Sequence, residues 1–575
     1  MKKVTLSDNA LAVASSRYFQ NGEDWQGCSE RVANNIAMPE VTNRDKIKEE
    51  FAQMIYNMDF LPGGRILRNC GRPRGSLFNC YHLPIGDSIE EIGQFIKDSL
   101  ILWSEGGGVG CNFSPLRPRN DIIMGKGGHS SGLVSFIQAS DAVANTIESG
   151  GARRAAAIAT VDVSHPEVVD FIDAKLKHGT LSHYNISVSV TDDFLLAVEA
   201  DDMWTFKFKQ KEYGKIKARD LWNKIITNMV DCAEPGLLNW SNFAKNNSYY
   251  FEPVLGTNPC GETTLGPYGV CDLGSLVLPN FITGNINTNW KKLESVIKLG
   301  VRFLDNVIDV NKYTLKEIDI NAHKSRRVGI GVIGLAEYLF AKKSRYGSEK
   351  AVIETERLMR FIRDAVYQAS LELSIEKGAF PMFDPMQYGK ASFIRKLPAQ
   401  LRMDIKKHGV RNCTLMALAP TGTISLIADY TSAVEPLFAK AMMRHDRVSD
   451  RMYIHPQYQE MIINNEEIPE WFVDSFDLTP NDHFEMQVAC QKFCDGAVSK
   501  TINLPKETTD EDLSNLLLEY VHDLKGVTVY RDGSREGQIL NKVTDEEVKE
   551  HLLTNKVDNN LDKEQVECAT GSCEV

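Results

Sequence analysis

Strand-like and helix-like segments alternate along this chain, and that alternation restricts its fold more than any other feature. Asn185-Ile186-Ser187-Val188-Ser189-Val190 switches between polar and apolar side chains as a strand does, and Cys413-Thr414-Leu415-Met416-Ala417-Leu418-Ala419 suits a buried strand. Helical spacing lies between them, as in Glu294-Ser295-Val296-Ile297-Lys298-Leu299. Strands separated by helices imply an α/β architecture. The 575 residues suffice for roughly three or four ordinary domains, or for one large barrel with additions.

The two ends read differently from the middle. Residues 1–70 predict a helical region, with helix formers and apolar spacing in Asn9-Ala10-Leu11-Ala12-Val13-Ala14 and Ile47-Lys48-Glu49-Glu50-Phe51-Ala52. Glycine punctuation begins at Gly63-Gly64, and residues 71–535 form the α/β body. Residues 536–575 have few aromatics and many acidic and amide side chains, which predicts a mobile tail with one short helix near Glu546 to Leu553.

The formal net charge of -12 argues against a broad nucleic-acid-binding surface. Small phosphorylated ligands remain possible, because helix N-termini and a few arginines bind them. Met1-Lys2-Lys3-Val4-Thr5-Leu6-Ser7-Asp8 lacks the apolar run of a signal peptide, and no apolar stretch has the length of a membrane span. The expected compartment is therefore the cytoplasm, where thiols stay reduced. Most of the 12 cysteines are expected to pack as small hydrophobes.

Some cysteines call for chemistry. In Asn258-Pro259-Cys260-Gly261-Glu262, an extended backbone would turn an amide, a thiol and a carboxylate to one side. The amide can orient a hydroxyl, the carboxylate can take its proton, and the sulfur can react as nucleophile or radical. Pro259 and Gly261 suggest a loop instead, and taken alone the triplet is better read as a structural loop.

Cys568-Ala569-Thr570-Gly571-Ser572-Cys573 puts two thiols on the acidic tail, where they can exchange with a buried disulfide and be re-reduced from solution. A zinc clip would need two further ligands that no nearby His or Cys supplies. Pro420-Thr421-Gly422-Thr423-Ile424-Ser425 follows the apolar 413–419 run and offers donors to a phosphate, or equally an ordinary helix cap. It lacks the ending of a Walker A loop. Gly329-Ile330-Gly331-Val332-Ile333-Gly334 matches G-x-G-x-x-G, but Lys324-Ser325-Arg326-Arg327 before it is no buried strand, so these glycines are read as close helix packing.

Taken together and in order, these segments resemble the catalytic subunit of ribonucleotide reductases from about residue 8 to the end. Cys80 in Asn79-Cys80-Tyr81-His82-Leu83-Pro84 and Cys271 in Gly269-Val270-Cys271-Asp272-Leu273 stand where that family keeps its reducing pair. The resemblance implies a ten-stranded α/β barrel of two antiparallel-arranged, five-stranded parallel halves, with Cys260 on a central finger loop. It implies a Cys260 thiyl that takes the ribose 3′ hydrogen, Glu262 as acceptor of the 3′-hydroxyl proton, and Asn258 orienting intermediates. Water then leaves C2′ while Cys80 and Cys271 become a disulfide, which Cys568 and Cys573 recharge from thioredoxin or glutaredoxin. Asn79 and Pro420 to Ser425 would hold the substrate.

Asp87, Ser88 and Arg117 resemble the family's effector-nucleotide site for a dNTP or ATP, although Asp87-Ser88 also reads as a helix N-cap. Gly150, Gly151, Arg153 and Arg154 resemble its specificity loop, and such effector sites imply a homodimer. An N-terminal ATP-binding cone is not expected, so specificity control without dATP shut-off follows. Asn79 where serine is common, and Asp429-Tyr430-Thr431 after the phosphate loop, depart from the family pattern.

The radical source follows from Gly526-Val527-Thr528-Val529-Tyr530-Arg531-Asp532-Gly533-Ser534-Arg535. Reductases with a separate metal-containing subunit carry two adjacent tyrosines there, and this chain has one; Tyr249-Tyr250 is read as packing. No glycyl-radical ending is present. The segment resembles the adenosylcobalamin-dependent class, and similarity to its members with a tail cysteine pair favours diphosphate substrates. The chain has no Asp-x-His-x-x-Gly motif, and its cobalamin contacts are not identified.

Overall fold

The computed structural model describes residues 4–549 except 125–126, 150–152, 178, 285, 446–449, 535–539 and 545. The helical N-terminal expectation holds. Helices α1 (Asp8–Arg17), α2 (Trp25–Ile36) and α3 (Arg44–Tyr56) come first, and the Ser7 and Asp24 side chains cap α1 and α2 by accepting the Ala10 and Gly27 amides. Cys28, Val32, Ala33 and Ile36 on one helix and Phe51, Met54 and Ile55 on the other are buried in one core. Strand β1 (Phe60–Pro62) then leaves this region to pair with the large sheet, and α4 (Gly64–Asn69) follows.

The sheet has ten strands. After β1 these are β2 (Cys80–His82), β3 (Gly108–Asn112), β4 (Ala157–Asp162), β5 (Tyr184–Val190), β6 (Gly236–Asn239), β7 (Val270–Val277), β8 (Val328–Ile333), β9 (Thr501–Leu504) and β10 (Gly526–Arg531). β2, β3, β4, β5 and β6 are parallel in that order. Both ends of that run meet antiparallel neighbours, β7 beside β2 and β10 beside β6. β8 runs parallel to β7, and β9 parallel to β10. The expected strand at 185–190 is β5, and the helical 294–299 stretch lies within Trp290–Val310.

The 413–419 run is buried but forms single bridges instead of a ladder. Met416 bridges Ile330 of β8 and Leu418 bridges Val498, both in parallel sense. Part of its backbone is satisfied elsewhere: the Asp495 carboxylate accepts the Leu415 and Met416 amides at 2.9 and 2.8 Å.

Two expectations change. Gly329 and Gly331 lie within β8, paired in parallel with β7, and not between packed helices; neighbouring segments crowd that strand face. A Cβ on Gly329 would sit 2.6 Å from Leu273 Cδ2, and one on Gly331 would sit 3.0 Å from Ala417 O. The fold also continues past residue 536. Leu540–Lys542 pairs with Ala441–His445, and Val543 and Val548 join a core with Phe340, Tyr458 and Phe472. Two valines thus anchor a segment whose average composition is polar. Residues 546–549 are helical, while the rest of the expected tail, with Cys568 and Cys573, lies outside the described residues. Among the described residues no helix is long and apolar enough to cross a membrane.

Candidate active site

A short hairpin carries the Asn258–Glu262 segment. Gly256–Thr257 pairs with Thr264–Leu265, and the segment forms the tip. The tip is a turn, not an extended run: Gly261 N donates to Asn258 O at 2.9 Å, and Gly261 has φ +78°, where L side chains are strained. Asn258 Oδ1 accepts Thr263 N at 3.0 Å, which fixes the amide. Convergence of the three side chains therefore comes from the turn.

The hairpin is tied to both parts of the sheet. A Cβ on Gly110 of β3 would stand 1.7 Å from Thr257 O, so only glycine lets the hairpin pass there. On the other side, Ala497 N donates to Glu262 O at 2.7 Å. The tip is thus held on a rigid frame.

Three of the candidate residues meet directly. Asn258 Nδ2 donates to Cys80 Sγ at 3.3 Å, and the Cys80 thiol donates to Glu262 Oε1 at 3.5 Å. Cys80 lies opposite Cys271 in the β2–β7 register. Opposed antiparallel residues have Cα atoms about 4.5–5.5 Å apart, within the span a disulfide bridges. Burial pushes the Cys80 and Cys271 thiols well above their ordinary range, and the Glu262 carboxylate pushes Cys80 further. Burial also raises Glu262 itself. Glu262 Oε2 and Asn79 Oδ1 are buried without a hydrogen-bond partner.

These residues face a cavity of about 720 Å³, including space open to solvent, lined by Asn79, Cys80, Cys260, Glu262, Pro420, Thr421 and Ile424 among others. Gly422, Thr423 and Ser425 belong to the helix Gly422–Ala428 that starts at this wall, but do not line the cavity. Ser425 Oγ turns inward to donate to Gly422 O at 3.0 Å.

Residues outside the sequence-derived set also reach this cavity: Arg17 and Tyr18 at the end of α1, and Arg65 and Arg68 on α4. Three arginines thus line this cavity in a chain of net charge -12. Gly63-Gly64, noted only as punctuation, was the sequence signal closest to them.

A second cavity, about 1060 Å³ including open space, lies against Cys260 and Gly261. Asn185, Ser187, Glu234, Lys500, Thr501 and Thr528 give it polar walls. Glu435 Oε2 and His483 Nδ1 both take a hydrogen bond from Lys500 Nζ, at 2.8 and 2.9 Å. Cys260 is therefore common to two cavities.

The other candidate residues stand apart from both. Ser88 caps α5 (Ile89–Ser104), accepting the Glu91 amide, and the Asp87 carboxylate accepts Arg117 N and Nε at 2.9 and 3.0 Å. Arg153–Arg154 is a short strand paired with Glu148–Ser149, while Gly150 and Gly151 lie outside the described residues. Tyr249 packs in the core with the Arg327 guanidinium over its ring, and Tyr250 donates to Met382 O.

Comparison with known proteins agrees with this geometry. The family model for the ribonucleotide reductase barrel domain matches residues 78–530, and that for the ribonucleotide reductase all-alpha domain matches residues 4–75. A vitamin B12-dependent ribonucleoside-diphosphate reductase of Thermoplasma acidophilum is 34% identical over 572 residues, covering 91% of this chain and 71% of its own. One from Mycobacterium tuberculosis is 37% identical, covering 86% and 73%. A ribonucleoside-diphosphate reductase subunit alpha of Chlamydia trachomatis is 26% identical, covering 87% and 56%. With its barrel-domain match spanning most of its length and Cys80 and Cys260 on one cavity, the chain belongs to the ribonucleotide reductase family.

Proposed function

We propose that this chain reduces ribonucleoside diphosphates to 2′-deoxyribonucleotides with a thiyl radical on Cys260, using adenosylcobalamin. The observation that carries this reading is the meeting of Cys260, Cys80 and Glu262 on one cavity, with Cys271 paired behind Cys80 and Glu262 Oε2 unpartnered. In the first cavity the ribose stands between Cys260 and Glu262. The Cys260 radical takes the 3′ hydrogen and Glu262 takes the 3′-hydroxyl proton. Asn258, held by Thr263, orients the intermediate. The 2′-hydroxyl leaves as water, with protons and two electrons from Cys80 and Cys271, which form a disulfide. Cys260 then returns its hydrogen to C3′. The phosphates lie toward Asn79 and the Pro420–Ser425 turn.

The second cavity fits the adenosyl end of the cofactor: it abuts Cys260, and its Asn185, Ser187, Glu234 and Thr528 side chains suit sugar hydroxyls and ring nitrogens. When bound, adenosylcobalamin supplies radical chemistry through its weak cobalt–carbon bond. Thr528 lines that cavity, and Tyr530 is the one tyrosine of its strand. This chain's part is to hold Cys260 between the two spaces and keep water from them.

Strand pairing supports a closed barrel with the hairpin as its finger loop. Residues 497–504 bridge Leu418 on one side through Val498 and β10 on the other through β9, and β8 bridges Met416. That sequence of partners gives a second parallel half, β7, β8, the 414–418 run, 497–504 and β10, set antiparallel to β2–β6. We divide the chain accordingly into the helical region 1–70, the barrel 71–535 and a redox tail after it. Asp87, Ser88 and Arg117, with the loop from Gly150 to Arg154, form the effector and specificity elements of a homodimer in the same reading. Thioredoxin or glutaredoxin recharges Cys568 and Cys573. Formation of deoxynucleotide by the purified chain with adenosylcobalamin and a dithiol tests the proposal.

A further inference from the structure

Arg327 is a buried cation just before β8. Its side chain has no solvent exposure, its Nη2 donates to Glu252 Oε1 at 3.2 Å, and its guanidinium lies 4.8 Å from the centre of the Tyr249 ring. Nε and Nη1 have no hydrogen-bond partner. Leaving two such donors unmet inside a protein is costly, which points to a partner that exists only in part of a reaction cycle.

Register identifies that partner. Val328 pairs with Asp272 in β8 and β7, so Arg327 falls beside Cys271. Gly329, two residues on and therefore on the same face, comes so close that a Cβ there would be 3.3 Å from Cys271 Sγ. Cys271 sits behind the wall of the first cavity, whereas Cys80 forms part of that wall.

We infer that the Cys80–Cys271 disulfide is reopened in one direction only, by attack on the Cys80 sulfur, with Cys271 leaving as a thiolate beside the Arg327 guanidinium. This rests on the reading of Cys80 and Cys271 as the reducing pair. In the exchange, the thiolate of an external dithiol forms a bond to Cys80 Sγ while the Cys80–Cys271 sulfur–sulfur bond breaks, its electron pair going to Cys271. The second thiolate of the dithiol then displaces Cys80, and the dithiol ends as its own disulfide. Each released thiolate takes up one of the two protons the dithiol gave up.

Access sets this direction, because Cys80 lines the cavity and Cys271 does not, and the Arg327 guanidinium assists it. Glu262 from the hairpin faces Cys80 and disfavours an anion there. Around Cys271, burial and Glu262 push the thiol up, as would Asp272 when ionised, although burial pushes Asp272 itself toward its protonated form; the Arg327 guanidinium and a hydrogen bond with Thr263 pull the thiol down. A cation beside the leaving sulfur speeds its departure. Arg327 also pulls the Cys413 thiol down, against the burial that raises it.

The test uses the full chain with Cys568→Ser and Cys573→Ser, oxidised by diamide, then treated with glutathione as a monothiol probe and mapped by mass spectrometry. Glutathione should sit on Cys80 with Cys271 free; glutathione on Cys271 overturns the inference. If diamide forms no Cys80–Cys271 disulfide, the reducing-pair reading itself falls. Disulfide reduction by dithiothreitol should slow roughly tenfold in Arg327→Gln and recover in Arg327→Lys, whose charge is kept. Equal rates in Arg327→Gln and the parent overturn the role of the charge. Because the mapping needs no change at Arg327, a variant that fails to fold leaves the main test intact.

Discussion

Cys80 and Cys271 stand opposite each other across β2 and β7, and of the two only Cys80 faces the first cavity. A pair built this way delivers two electrons inward and is renewed from the cavity side. Cys80→Ser and Cys271→Ser should each lower steady-state deoxynucleotide formation by about 10³-fold or more, and the double variant should be no worse than either, as for residues that act as a unit. Product assays on the three proteins check this; additive losses would mean the two thiols work separately.

Glu262 is raised by burial, yet it must be ionised to accept a proton. Turnover should therefore rise with pH through the raised Glu262 value and level off above it. Glu262→Gln should lose about 10²–10⁴-fold in kcat, and this limb of the pH profile should disappear with it.

Asp272 follows Cys271 and is fully buried, with neither carboxylate oxygen hydrogen-bonded. Burial raises it well above the aspartate range. Between that range and its raised value the folded chain holds a proton that the unfolded chain has released, so its contribution to stability is present at low pH and lost as pH rises. Asp272→Asn should remove that loss. The variant should gain in stability on the parent in going from mildly acidic to mildly alkaline buffer, read by denaturant unfolding at the two pH values; an unchanged difference would remove Asp272 as the cause.

The tail pair is tested by separating the reductants. Cys568→Ser with Cys573→Ser should turn over normally with dithiothreitol and fail with thioredoxin. Loss of activity with both reductants would remove the shuttle role.

Much of the site could be read from the chain because its chemistry sits in short local segments. Asn258, Cys260 and Glu262 are neighbours in sequence, and the Gly261 turn that gathers them is local too. Arg17, Arg65 and Arg68 were not readable, since their approach to Cys260 depends on how α1 and α4 dock against the sheet. The glycines of β8 misled for a related reason. Their spacing permits close approach, but only the parallel ladder with β7 shows that the element is a strand. Val543 and Val548 were hidden within a polar segment, where two buried side chains suffice to hold the chain.

The most direct test of the central claim is a single assay. The full chain, without any other protein, is given a ribonucleoside diphosphate, adenosylcobalamin and dithiothreitol, alongside its Cys260→Ala variant. Deoxynucleotide should form with the parent and not with Cys260→Ala. No product until a metal-containing second subunit is added, or product from Cys260→Ala, would contradict the account.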